Sequence, residues 1–460
     1  MNRRDFVVTA AASLATTVLP CSAQSSATAL EIDATKPGPR IPADFTGLSY
    51  ESAQLANPDF FSVKNTQLIE LFRALSPTGN LRLGGGSSEY TIYSDADPTG
   101  PQPFEVFGPD TSKTVKHGTT TTARALRNLR AFLDATGWSC LYGLNLGQGT
   151  KENAAAEADA VYRVLGPRLV AFQIGNEPDS FRNRYRSANY GPEDFIAEWN
   201  AFHDAIVAKV PQAKFACPDF SNKLPFLTAF ADEARKHKDV ILLTGHYYAM
   251  GPARSPDATL DQLAEPNPKL ATMHQNGFDA VAEAMKTSGL PYRMSEGNSC
   301  WDGGKPGVSD TLASALWCAD MMLRFASLGW CGVNLHGGGN GFYTPIAGAP
   351  STGFTRRPEY FGIQFAQTFA GAQLLPARLT GAPDHITAYA AERAGTHLVA
   401  IVNKTETPAR IALPKPCSSR AKQLTGPALD AKNGTTFAEI AVTQSRQVSL
   451  PAHSAVIYEV

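Results

Sequence analysis

The 460-residue sequence predicts an α/β fold: a closed parallel (β/α)8 TIM barrel with a C-terminal β-sandwich domain. Eight short apolar runs alternate with longer segments of helical spacing. Polar side chains gather where those runs end. From about residue 375 helical spacing stops, and period-two alternation with regular turn residues takes over.

The chain opens MNRRDFVVTAAASLATTVLPCSAQ. Arg3-Arg4 precede an apolar stretch too short and too rich in Ala and Thr to span a membrane. Residues 1–23 therefore read as a twin-arginine export signal cleaved after Ala23, which places the mature protein in the periplasm or outside the cell. Lipidation at Cys21 is the weaker reading, because Pro20 precedes it. Residues 24–42 carry a strand segment expected to join the sandwich, residues 43–373 the barrel and residues 374–460 the sandwich itself.

The eight strands are expected at 44–51, 80–85, 139–146, 169–176, 214–220, 241–248, 291–296 and 332–336. Between them, 121–137 places Ala123, Leu126, Leu129, Phe132 and Leu133 on one helical face. Residues 192–209 begin Pro192-Glu193-Asp194, a proline and two acids suited to a helix N-terminus. Residues 310–328 and 358–371 give the last two helices, the former apolar enough to lie wedged against a sheet.

The bulk numbers narrow the function. Hydrophobic residues make up 43% and charged residues 18%, an ordinary balance for a globular chain with a large core. A formal charge of −1 gives no basic excess for nucleic acid. Six cysteines follow the leader, none in a CxxC pair, so zinc ribbons and redox dithiols are unsupported. A disulfide involving Cys300 stays open, as does the oligomeric state.

In such a barrel the chemistry sits at the carboxyl ends of the strands. Strand one ends in Tyr50-Glu51, strand two passes Arg82 into Gly84-Gly85-Gly86, and strand four ends in Asn176-Glu177. Strand six ends in His246-Tyr247-Tyr248, strand seven in Glu296 and strand eight in His336. Glu177 and Glu296 thus face each other across part of the mouth. Two such carboxylates can break a glycosidic bond, one protonating the leaving oxygen and the other ionised. Asn176 can donate to a sugar hydroxyl beside the reacting carbon. Arg82 can hold a neighbouring glutamate ionised, and Tyr247 can donate its phenolic proton to the nucleophile.

Other signals are weak. Gly84-Gly85-Gly86-Ser87-Ser88 lacks the Lys-Ser/Thr of a phosphate loop. His246 and His336 have no partners at metal-ligand spacing, so no metal or other cofactor is expected. Asp219, after strand five, reads as a structural or rim residue. Arg182, Arg184 and Arg186 read as a solvated loop, or else as a contact to an acidic polysaccharide.

Taken together, GLSYES at 47–52, LRLGGGS at 81–87, GNEPD at 175–179, GHYY at 245–248, SEGN at 295–298 and GFYTPI at 341–346 resemble glycoside hydrolase family 79. This is the β-glucuronidase and heparanase family of the clan A retaining glycosidases. The resemblance covers nearly all of the mature chain. It implies Glu177 as general acid/base and Glu296 as nucleophile, supported by Asn176 and Tyr247. It also implies that Glu51 holds sugar hydroxyls, with Gly303 among the substrate contacts. Tyr343 and the N–H groups of the preceding glycine loop would meet the uronate carboxylate. The family's bacterial β-glucuronidases carry tyrosine five residues after the nucleophile; here stands Trp301, whose indole N–H donates but cannot accept. Trp301 equally suits a stacking platform for the leaving group.

The reading that results is an exported retaining exo-β-glucuronidase. Its partner is a glucuronide or uronic-acid glycan. The alternatives are a clan A glycosidase for a neutral sugar (β-xylosidase, arabinofuranosidase or β-glucosidase), an endo-acting heparanase-like enzyme, and a sugar-binding protein without turnover.

Overall fold

The computed structural model describes residues 28–96, 118–337 and 341–460. The expected leader, with Cys21 and Ala23, lies outside them, as do Gly338 and Gly339 of the glycine loop after strand eight.

Eight parallel strands close into a barrel. In chain order they are Thr46–Glu51, Asn80–Gly84, Ser139–Leu144, Leu169–Ile174, Phe215–Phe220, Val240–Tyr248, Tyr292–Asn298 and Gly332–His336. The ring shuts where the eighth pairs with the first, Val333 opposite Thr46 and His336 opposite Ser49. The strands are buried on both faces, so they read as near-continuous apolar runs.

The surrounding helices begin where their sequences have local reasons to. Thr122 caps Ala123–Thr136 by accepting the Ala125 N–H at 3.2 Å, and Gly137 ends that helix at φ 83°. Pro192–Lys209 opens with Asp194 accepting the Gly191 N–H at 2.9 Å. Between the helix layer and the strands, Phe72, Phe132 and Trp138 are fully buried, each worth about 1.5–3 kcal/mol of burial.

Past the barrel, a six-stranded antiparallel sheet and a four-stranded mixed sheet, in which Ala29–Ile32 runs parallel to Ala409–Ala412, stack face to face. In Thr396–Asn403, Val399 and Ile401 enter the sandwich core while Leu398, Ala400 and Val402 join the barrel core. Period-two alternation therefore reaches two apolar layers at once. Asp320, on the helix Leu312–Ser327, anchors that sheet by accepting from Thr387 at 2.6 Å, Tyr389 at 2.7 Å and Lys404 at 2.8 Å. The early strand Ala29–Ile32 belongs to the four-stranded sheet, antiparallel to Ala377–Thr380. The six cysteines among the described residues are free thiols, which closes the question left open for Cys300.

Candidate active site

Barrel strand four runs out at Ile174, and the next three residues leave the ladder. Gly175 has φ 86°; a Cβ there would lie 2.9 Å from Leu146. Glu177 adopts a left-handed conformation, φ 50° and ψ 54°, which is strained for a residue with a side chain. Its N–H donates to the Asp219 carbonyl at 2.9 Å, and Pro178 opens a single turn directly after it. The turn leaves the carboxyl of Glu177 at the mouth, with 28% of the side chain exposed.

Glu296 lies deeper, on strand seven. Arg82 donates to its Oε2 at 2.6 Å and Tyr248 to its Oε1 at 2.8 Å. Arg82 is buried and uses all five of its N–H donors. Besides Glu296 it donates to Gln173 at 2.9 Å, Ser49 at 3.2 Å, Asn176 Oδ1 at 2.7 Å and the Asp219 carboxylate. The bond from Arg82 fixes the Asn176 amide, so its NH2 is free to point at a sugar hydroxyl.

His246 stands between the two glutamates. Its Nδ1 is 2.9 Å from Glu177 Oε1 and 3.9 Å from Glu296 Oε1, and its Nε2 faces Asp219 Oδ1 at 3.4 Å. One oxygen of Glu177 and one of Glu296 lie within 4.8 Å of each other. Carboxyl groups about 5–5.5 Å apart suit retention, whereas inversion needs about 6.5–9.5 Å for a water.

The surroundings push the two acids in opposite directions. Burial, reinforced by Glu296 and Asp179, raises the pKa of Glu177 despite the bond to His246. Burial also opposes charge on Glu296, but His336, His246 and Arg82 outweigh it and hold its carboxyl down at about 2. The histidines are driven the other way. Burial works against their charge, yet Glu296 and Asp219 raise the pKa of His246 well above the ordinary value. Glu296 and Glu51 likewise raise that of His336. Both ring nitrogens of His246 face carboxylates, Nδ1 that of Glu177 and Nε2 that of Asp219. Among the described residues, the other group with converging ligand atoms, His203, His237 and Asp239, lies beside the start of strand six, where His203 is hydrogen-bonded to Asp204 and Asp239.

With this geometry in hand, the chain can be set against known proteins. No protein-family model matches it. A β-glucuronidase of Neurospora crassa is 27% identical over 319 residues, 63% of this chain and 56% of that protein, so the match spans little more than half of the relative. A β-glucuronidase of Aspergillus niger is 25% identical over 393 residues, 79% of this chain and 69% of that protein. The solved 4-O-α-L-rhamnosyl-β-D-glucuronidase of Fusarium oxysporum 12S, in complex with Rha-GlcA, superposes with a TM-score of 0.73. It is 18% identical and covers 93% of this chain and 98% of its own. These comparisons support a glycoside hydrolase.

The structure brings Glu51, Arg82, Asn176, Glu177, Glu296 and Tyr343 to one mouth. Glu51 accepts the Ser87 N–H at 2.8 Å and lies 3.6 Å from His336 Nε2. Gly85, at φ 71°, has room for no Cβ, because one would meet the Glu51 carboxylate. Tyr343 is buried with its ring 5.8 Å from that of His336. Gly303, at φ 81°, accepts the Phe342 N–H through its carbonyl and ties the loop after strand seven to Tyr343's segment. Trp301 sits apart on the rim, 40% exposed, under the guanidinium of Arg254 at 5.3 Å.

Tyr247 is a correction. It does not reach Glu296; its hydroxyl lies 3.3 Å from His274 and its ring packs on Phe278 and Phe325. Side chains alternate along strand six, so His246 and Tyr248 face the mouth and Tyr247 the helices. Tyr248 is the donor to Glu296. Burial and Glu296 raise the pKa of its phenol, which keeps the proton available to give.

Sequence reasoning took Asp219 for a structural or rim residue and passed over Glu89. Glu89 accepts the N–H groups of Leu146, Gly147 and Asn176, bracketing the exits of strands three and four. Of the arginine run, Arg186 is bound to Glu198 and to the Leu146 and Gly147 carbonyls, and Arg182 to the Tyr190 carbonyl. Arg184 is exposed, its guanidinium 4.8 Å from the Tyr185 ring centre.

Proposed function

We propose that this chain is a retaining exo-β-glucuronidase of glycoside hydrolase family 79. The observation that carries the proposal is the pair itself. Glu177 and Glu296 oxygens lie within 4.8 Å, with the pKa of one raised and that of the other held at about 2. Glu177 enters the cycle protonated and gives its proton to the departing oxygen. Glu296 enters ionised and attacks the anomeric carbon. Glu177, now a carboxylate, takes a proton from the water that releases the sugar. The acid is the more exposed of the two, which suits the side where water and leaving group come and go. Buried Tyr343, with its pKa well raised by burial, Glu296 and Glu51, can donate to a uronate oxygen. The uronide is further supported by the names of the two fungal relatives and by the Rha-GlcA complex of the Fusarium enzyme. Export through a leader at 1–23, and the division at 42 and 373, belong to the same proposal. N-terminal sequencing of the exported protein tests the leader.

A panel of aryl β-glycosides, followed by proton NMR of the first sugar released, tests the activity. The proposal expects the glucuronide to be preferred and β-glucuronic acid to appear before its anomer. Preference for a xyloside, arabinofuranoside or glucoside overturns the uronide. The α-anomer appearing first overturns retention.

A further inference from the structure

Asp219 is fully buried on strand five, yet it meets more of the site than any expected residue except Arg82. It is the extra residue of a bulge: Pro218 pairs with Thr244 and Phe220 with Gly245, leaving Asp219 between them at φ 59°. Such a bulge re-aims a side chain. Here it turns the carboxylate inward, beneath the glutamate pair.

Everything that carboxylate meets is a donor. Arg82 Nη2 donates to Oδ2, while Ser295 Oγ and Gln173 Nε2, the latter at 2.6 Å, donate to Oδ1. His246 Nε2 stands 3.4 Å from Oδ1, and the Asp219 carbonyl accepts the Glu177 N–H at 2.9 Å. Only an ionised carboxylate has acceptor sites for so many donors and none to offer in return. The titratable groups around it are Arg82 on strand two, His246 on strand six, Glu296 and Tyr292 on strand seven, Glu177 after strand four and Cys217 on its own strand.

Arg82 donates to Glu296 and His246 lies against Glu177, and Asp219 holds the back of both cations. We propose that Asp219 is a positioning residue: it seats Arg82 under Glu296 and His246 beside Glu177, so that nucleophile and acid/base are set by one shared anion. This rests on the assignment of Glu296 and Glu177 made above. Asp219 touches no substrate in this scheme and acts through the two cations.

Asp219→Asn keeps the shape and removes the charge. Either orientation of the amide sets its NH2 against a donor, Arg82 on one side or Ser295 and Gln173 on the other. The test counts active sites with a mechanism-based 2-fluoro-glucuronide and reports kcat/KM per counted site across pH. The expected result is a fall in kcat per site of at least about tenfold, as for loss of a charge-assisted hydrogen bond, with KM little changed. One negative charge fewer makes the cluster bind its protons less tightly, so the basic limb moves to lower pH, by about one unit. Ser295→Ala, which deletes a single donor, shows the same direction with a smaller size and covers the case in which the Asn variant fails to fold. An unchanged rate per site and an unmoved basic limb in either folded variant overturn the proposal. Labelling of a residue other than Glu296 in the unaltered enzyme overturns the assignment of the pair and this proposal together; labelling at Glu296 beside unaffected variants overturns this proposal alone.

Discussion

His246 Nδ1 lies 2.9 Å from Glu177 Oε1, while the far side of the same ring faces Asp219. One imidazolium therefore leans on the acid/base without neutralising it, because burial still raises the Glu177 pKa. The two glutamates differ because Glu296 has Arg82, His336 and His246 around it and Glu177 has only His246.

Removing either glutamate stops the chemistry at a different step. Glu177→Ala is expected to lower kcat about 10²–10⁴-fold on a glucuronide with a poor leaving group. On an activated aryl glucuronide, azide restores part of the rate and gives β-glucuronyl azide. Glu296→Ala loses at least as much, and a Glu296→Ala enzyme of full activity would falsify the assignment.

Arg82→Met strips the partner from two buried carboxylates. Breaking a buried pair in this way costs about 3–5 kcal/mol, read by denaturant unfolding. The sign with pH follows from the depressed pKa of Glu296. Its stabilisation is fully present above the ordinary value of 4.5 and is lost as pH falls toward about 2. In the variant that pKa rises, so the acid limb of kcat/KM moves to higher pH and the stability loss at acid pH starts earlier. An acid limb that stays put shows that Arg82 does not tune the nucleophile.

The neighbouring tyrosines make a controlled pair. Tyr248→Phe deletes the 2.8 Å bond to Glu296 and is expected to lower kcat/KM about tenfold or more. Tyr247→Phe deletes only the 3.3 Å contact to His274, costs about 1 kcal/mol of stability at most and leaves kcat/KM as it was. The reverse ranking would reject the orientation of strand six described above.

Trp301→Ala alters an exposed ring, so stability is expected to shift by no more than about 0.5 kcal/mol. If the ring carries the leaving group, KM rises for bulky aryl glucuronides and not for small ones, and both pH limbs stay fixed. Equal effects on both substrate classes remove Trp301 from the leaving-group side.

The barrel was legible because its strands are buried on both faces. Apolar runs such as LVAFQI and ILLTG have sharp edges, and each strand lies within two residues of its expected range. The helices Lys151–Leu165 and Pro268–Ser288 were less distinct, since alanine and charge blur their apolar stripes. At the mouth, residue types could be read but not their facing. Tyr247 and Tyr248 differ only in phase, and the bulge between Met294 and Glu296 on the next strand shifts that phase locally. Asp219 was read as structural or rim, and its inward aim was hidden for the same reason: a bulge turns it, and CPDF carries no mark of the turn. A polar residue inside an apolar strand was the available clue.

The strand Ala29–Ile32 has a consequence for synthesis. Thr380 donates to the Ala29 carbonyl across 351 residues of chain, so the partner edge leaves the ribosome long after the first strand does. The barrel can close while that strand waits unpaired, and its docking onto Ala377–Thr380 then comes near the end of translation.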